Sequence, residues 1–204
     1  AQAGMGVDAG DYDGDGLMDV FVTNLSHETN ALYRNTGDGF FDDMAYRAHV
    51  GEESYLHVGF GTGFVDLDND GLLDIFVANG HILPNIADMT DTVTYAQPTQ
   101  VFRNLGDGAF VEATRDMGAD FQAHGVARAA IFGDYDNDGD MDVVVTYSGG
   151  PARVLRNDGG NANSWLRVTL PGASGIGARV TVTVGGCEQV REVRRGSSYL
   201  ASHD

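Results

Sequence analysis

Short apolar runs set between polar, glycine-rich turns dominate the chain. Val20-Phe21-Val22, Ile75-Phe76-Val77 and Val143-Val144-Val145 are β-branched or aromatic, and Gly, Asp or Asn lies close by each. This is the pattern of strands bounded by turns. No segment carries a sustained apolar stripe with a 3.6-residue period, so low helix content is expected. Gly37-Asp38-Gly39 predicts a hairpin turn, because glycine permits positive φ. The polar stretch from Gly80 to Pro98 predicts a loop on one face. After Asn157 the pattern changes. A small polar linker, Asn161-Ala162-Asn163-Ser164, leads into Trp165–Leu170, Ala178–Val184 and Gln189–Val193, with a Gly185-Gly186 turn before the last. All three alternate with period two, as in a small antiparallel sheet with one buried and one wet face. A boundary near residue 160 is predicted, dividing 1–160 from 161–204.

The first part is internally repetitive. Asp11-Tyr12-Asp13-Gly14-Asp15-Gly16-Leu17-Met18-Asp19 recurs as Asp66-Leu67-Asp68-Asn69-Asp70-Gly71-Leu72-Leu73-Asp74 and as Asp134-Tyr135-Asp136-Asn137-Asp138-Gly139-Asp140-Met141-Asp142. A second marker follows each copy: Leu32-Tyr33-Arg34-Asn35, Phe102-Arg103-Asn104 and Leu155-Arg156-Asn157. The copies start 55 and 68 residues apart. Units of this length, each with about four short strands, predict an all-β chain: a partial β-propeller of about three blades, followed by a small antiparallel β domain.

Composition narrows the function classes. The formal charge is −18 with no Lys at all, which excludes nucleic acid as a partner because nothing offsets phosphate charge. No apolar run approaches the roughly 18 residues of a membrane span, and no leader peptide is visible at Ala1. The single Cys187 cannot form an internal disulfide and reads as a small residue in a strand-turn segment.

Asp exceeds Glu because the acids are concentrated in the repeated loops. Alternate side chains in a tight loop converge on one point, and calcium takes 6–8 hard oxygen ligands. Asp11, Asp13, Asp15, the Leu17 carbonyl and Asp19 are the candidate ligands in the first loop. Asp66, Asp68, Asp70, Leu72 and Asp74 are their counterparts in the second, and Asp134, Asp136, Asp138, Asp140 and Asp142 in the third. The glycine at the sixth position supplies a sharp turn. An EF-hand is rejected, since its loop runs twelve residues to a Glu between two helices. About three calcium ions are expected; magnesium, with its tighter octahedral shell, fits less well.

These loops resemble the FG-GAP/VCBS calcium-loop repeat, and more closely the cartilage acidic protein family and its bacterial relatives. Gly59-Phe60-Gly61-Thr62-Gly63-Phe64-Val65-Asp66 running to Asn79-Gly80-His81, and Phe132-Gly133-Asp134 onward, carry that resemblance. The tail from Trp165-Leu166-Arg167-Val168 through Gly175-Ile176-Gly177-Ala178-Arg179-Val180 to Ser198-Tyr199-Leu200 resembles an ASPIC/UnbV domain. It departs in a shorter stretch at Pro171 to Ser174 and in stopping at Asp204. The resemblance implies an extracellular or periplasmic piece of a longer propeller, with weak calcium sites and a glycan or extracellular protein as partner.

A non-enzymatic, calcium-stabilised binding or adhesion scaffold is therefore expected. Two alternatives are a structural surface protein that assembles through open strand edges and a propeller-based polysaccharide-active enzyme. The enzyme would use His57, His81 or His124 with Glu52, Glu53 or Asp88. Asn24-Leu25-Ser26 is a formal glycosylation sequon.

Overall fold

A computed structural model describes residues 2–170, 175–194 and 196–202; the Pro171 to Ser174 stretch lies outside them. Three antiparallel meanders succeed one another. The first contains β1 (Val7–Gly10), β2 (Asp19–Val22), β3 (Ala31–Asn35) and β4 (Phe41–Asp43), each paired with the next. The second repeats this order with β5 (Gly59–Val65), β6 (Asp74–Asn79), β7 (Gln100–Asn104) and β8 (Phe110–Glu112). The third has three strands, β9 (Ala127–Gly133), β10 (Asp142–Tyr147) and β11 (Gly150–Leu155), with β10 in the middle. Among the described residues, helix is confined to the single turn α1 (Gly51–Ser54) and short 3₁₀ segments. The stretch from Gly80 to Pro98 is the expected loop, pinned by buried Ile86 and Val93.

Each Asp loop joins the first strand of a sheet to the second. The closing pairs are Gly10 with Asp19, Val65 with Asp74 and Gly133 with Asp142. All three loops are thus hairpin connections of one design. The Gly37 and Gly39 turn, both at positive φ, links β3 to β4 as predicted.

The sheets stack face to face around two cores. Tyr12, Phe21, Leu32, Ile75, Val77, Phe102 and Phe110 fill the space between the first and second sheets. Phe76, Ala78, Phe132, Val143 and Val145 belong to the core between the second and third. Strand β6 therefore buries both faces, Ile75 and Val77 one way and Phe76 and Ala78 the other. All six of its residues are accordingly buried, whereas burial along β2, which has one buried face, alternates. The first strands approach very closely. At Gly61 a Cβ would overlap the backbone of Ala129 and Ala130, so no larger residue fits.

Beyond residue 160, β12 (Arg179–Val184) pairs with β13 (Cys187–Glu192) across Gly185 and Gly186, whose φ values are 61° and 92°. Positive φ at both central residues marks the tight turn expected there. Trp165–Leu170 departs from expectation: among the described residues it pairs with no strand, and it is exposed along its length. Its alternation finds no ladder partner, and the segment lies against the third Asp loop instead. The chain then returns to β1, where Ser198 N–H donates to the Val7 carbonyl (2.8 Å) and the Ser198 hydroxyl accepts Thr62 N–H (2.9 Å). Arg194 pairs with buried Asp8 (2.9 Å), and Tyr199 packs edge-on against Phe60.

Replacing Gly61 with Ala should destabilise the fold by about 1–3 kcal/mol through overpacking. Urea unfolding should show a lower midpoint at unchanged slope.

Candidate metal centres

Each loop is wound by its own carboxylates. The first-position acid accepts the N–H of the sixth-position glycine: Gly16 to Asp11 (3.0 Å), Gly71 to Asp66 (2.9 Å) and Gly139 to Asp134 (3.2 Å). The fifth-position acid accepts the N–H of the seventh residue: Leu17 to Asp15 (2.9 Å), Leu72 to Asp70 (2.8 Å) and Asp140 to Asp138 (3.0 Å). Two left-handed residues make this tight path possible. Gly16, Gly71 and Gly139 have φ of 85°, 94° and 98°, and Gly14, Asn69 and Asn137 have φ of 74°, 53° and 61°. The fourth position is the less obvious requirement, and its signal is Gly or Asn in every copy.

The winding gathers carboxylates. Asp11, Asp13 and Asp15 each place an oxygen within 4.8 Å of the others; so do Asp66, Asp68 and Asp70, and Asp134, Asp136 and Asp142. Burial pushes Asp11 above the ordinary carboxylate range, and the charges of Asp15 and Asp13 add to it against the Gly16 N–H. Asp66 is pushed up to about 6, mainly by burial. The donor set consists wholly of hard oxygens, and the buried Asp11 Oδ1 makes no regular hydrogen bond among the described residues. A divalent cation fits such a site: it gives the orphan oxygen a partner and offsets the mutual repulsion. Basic side chains already do part of this. Arg34 reaches Asp13 (2.6 Å) and Asp15 (3.1 Å) in the first loop.

The FG-GAP-like repeat profile matches residues 11–77 and 66–145, well over half of the chain, and the ASPIC and UnbV profile matches 169–204. The chain belongs to the FG-GAP-like repeat family. It is 27% identical to cartilage acidic protein 1 of Mus musculus and 26% identical to that of Homo sapiens, in each case over 97% of this chain. It spans 38% and 37% of the length of those relatives.

Within these FG-GAP-like repeats, the ninth-position acids play a structural part. Both oxygens of each accept backbone N–H groups. Asp19 takes Asn35 (2.8 Å) and Tyr12 (3.2 Å), Asp74 takes Asn104 (2.9 Å) and Leu67 (3.2 Å), and Asp142 takes Asn157 (2.8 Å) and Tyr135 (3.0 Å). Asp142 alone of the three also joins a carboxylate cluster. Burial pushes Asp19 and Asp74 up to about 7, with the N–H donors opposing it. Asp138 stands outside the third cluster as drawn. Asp140 is fully buried and turns toward the second repeat, where its Oδ1 accepts from the Asn69 amide (3.2 Å).

The Arg-Asn marker gains a physical role here. Its Asn closes its own loop and also ties the repeat to the one before. The Asn104 amide donates to Leu73 O (3.0 Å) and to Tyr12 O of the first loop (2.8 Å). Likewise, the Asn157 amide donates to Leu67 O of the second loop (2.6 Å). The period of the marker was legible in the sequence, but its bridging partner lies 92 residues away.

The candidate catalytic histidines engage the backbone. Buried His81 accepts Leu83 N–H at Nδ1 (3.0 Å), while His57 and His124 place Nδ1 beside the Glu53 and Ala96 carbonyls (3.1 Å each). The sequon Asn24 is buried, and its amide donates to Thr29 O (2.7 Å), which removes it as a glycan acceptor. No helix among the described residues is long and apolar enough to cross a membrane.

Two outcomes follow. Asn104→Ala should cost about 2–4 kcal/mol by orphaning two buried carbonyls, whereas Asn35→Ala, which frees one carbonyl, Met18 O, in place of two, should cost less; parallel urea melts read the difference. For chelator-treated protein, the raised values at Asp19 and Asp74 mean stability is full below the ordinary carboxylate pKa and is lost as pH rises through about 7. The urea midpoint should therefore fall between about pH 5 and about pH 8, and calcium should reverse that trend.

Proposed function

We propose that the three sheets are blades of a β-propeller whose repeats are stabilised by structural calcium, about one ion per loop. We further propose that the whole protein is a secreted, extracellular or periplasmic scaffold that binds a glycan or protein rather than an enzyme. The observation that carries this reading is the gathering of three carboxylates in every Asp loop, with the buried Asp11 Oδ1 of the first left without a regular partner among the described residues. Nine such acids at one end of three stacked sheets repel one another until a cation offsets them. The seventh-position carbonyls of Leu17 and Leu72 lie in the same turns and would complete an oxygen shell. The vertebrate relatives support an extracellular-type setting, where free calcium is high enough to fill sites with dissociation constants of about 10⁻⁴–10⁻³ M.

A non-catalytic role accords with histidine rings tied to the backbone. Turnover of acidic polysaccharide that disappears in His81→Ala would overturn it.

At calcium about tenfold above the dissociation constant, each site should add about 1.4 kcal/mol, or about 4 kcal/mol for three. Calcium should then raise the melting temperature by about 10 °C over chelator. Asp13→Asn, Asp68→Asn and Asp136→Asn should each remove about a third of that rise. Equal melts in calcium and chelator, with no bound ion by elemental analysis, would overturn the reading.

A further inference from the structure

The C-terminal segment meets all three Asp loops at the same point. The sixth-position glycine of each is covered by a side chain from beyond residue 160: Gly16 by Arg179, Gly71 by Gln189 and Gly139 by Trp165. At Gly71 and Gly139 the fit is so close that a Cβ would overlap the covering side chain. In the first two loops the arginines of the segment bond to backbone. Arg179 donates to Gly16 O, and Arg191 donates to Gly71 O (3.3 Å).

The third loop is different. Arg167 donates to Asn137 Oδ1 (2.9 Å) and also to Asp134 Oδ2, the oxygen that accepts the Gly139 N–H. Asp134 belongs to the carboxylate cluster of that loop. In the first loop a guanidinium comes from the repeat itself, where Arg34 of the Arg-Asn marker meets the third- and fifth-position acids. Its counterpart in the third repeat, Arg156, instead pairs with Asp158 (2.7 Å). Arg167, from a separate segment, brings a guanidinium to that loop at its first-position acid and not at the third and fifth.

We propose that Arg167 is a built-in counter-cation of the third loop, and that a divalent cation entering there displaces it and releases the Trp165–Arg167 strap. The inference rests on the calcium reading above. Two cations cannot share the Asp134 carboxylate cheaply, because like charges a few ångströms apart repel and this pair is only partly exposed to screening water. The coupling is reciprocal: whatever the ion does to the strap, loss of the arginine does to ion affinity in the opposite sense. The first two loops behave differently, because there the segment's hydrogen bonds go to glycine carbonyls, and Arg191 acts on Asp66 and Asp11 through its field without an ion pair to either among the described residues. Trp165, the only tryptophan, lies on Gly139 and near the Arg167 guanidinium (6.0 Å to the ring centroid), so it reports the event directly.

The test uses the full chain, stripped of metal and titrated with calcium, with stoichiometry by calorimetry and Trp165 exposure by acrylamide quenching. Loading should make Trp165 more accessible. Arg167→Gln should move the third-loop transition to about tenfold lower calcium, the order expected from removing one partly exposed like charge. Asp136→Asn should lose one bound ion and the tryptophan transition together, while keeping the quenching of the metal-free wild type. Full loading with Trp165 unmoved or more protected would overturn this inference alone, as would unchanged or weaker binding by Arg167→Gln. No bound calcium at all would overturn both this inference and the calcium reading.

Discussion

A buried carboxylate at the end of each Asp loop, held by two backbone N–H groups, sets the geometry from which the rest follows. Asp19, Asp74 and Asp142 accept from the second residue of their own loop and from the marker Asn at the end of the third strand (Asn35, Asn104) or two residues past it (Asn157). One side chain thus fixes the loop, its closing strand pair and the neighbouring strand together. Burial opposes ionisation at Asp19 and Asp74, while the N–H donors favour it. In the first two loops the acids at the first, third and fifth positions are presented as a cluster because this anchor holds the turn closed behind them, and in the third the anchor Asp142 itself joins Asp134 and Asp136.

The same Asn residues transmit the arrangement from repeat to repeat. Asn104 and Asn157 each reach the second-position carbonyl of the preceding loop, so the loops are stitched in series as the sheets stack. Packing does the remainder. Strand β6 is buried on both faces between two cores, and small residues at Gly61, Ala129 and Ala130 allow the first strands of adjacent sheets to approach closely. Burial of large aromatics in each core, such as Phe76 against Phe121 and Phe132, supplies the apolar surface that drives the stacking.

Against this framework the C-terminal segment acts as a cover. It touches each loop through the sixth-position glycine and runs back along β1 through Arg194, Ser198 and Tyr199. A chain with 12 basic residues, all of them arginine, against 30 acids spends several of those arginines on the acidic loops. Arg34 and Arg167 meet carboxylates, and Arg179 and Arg191 meet loop carbonyls. Planar guanidinium, with five donors in a fixed fork, suits such multi-oxygen contacts better than an ammonium would.

The sequence by itself determined the all-β class, the three Asp loops, the hairpin turns and the change of pattern after Asn157. These are local: alternation, β-branched runs and glycine or asparagine at left-handed positions act over a few residues. Whether a given acid faces a cluster or a backbone donor was decided only by tertiary structure, because Asp140 and Asp138 carry the same chemistry in the same loop. Asp140 is drawn to Asn69 of another repeat, and Trp165–Leu170, predicted as a strand, pairs with none among the described residues and meets the third Asp loop instead. Contacts between residues some 70 to 90 positions apart leave no periodic mark on the chain, so the stitching of the loops and their cover became visible only when the sheets were stacked.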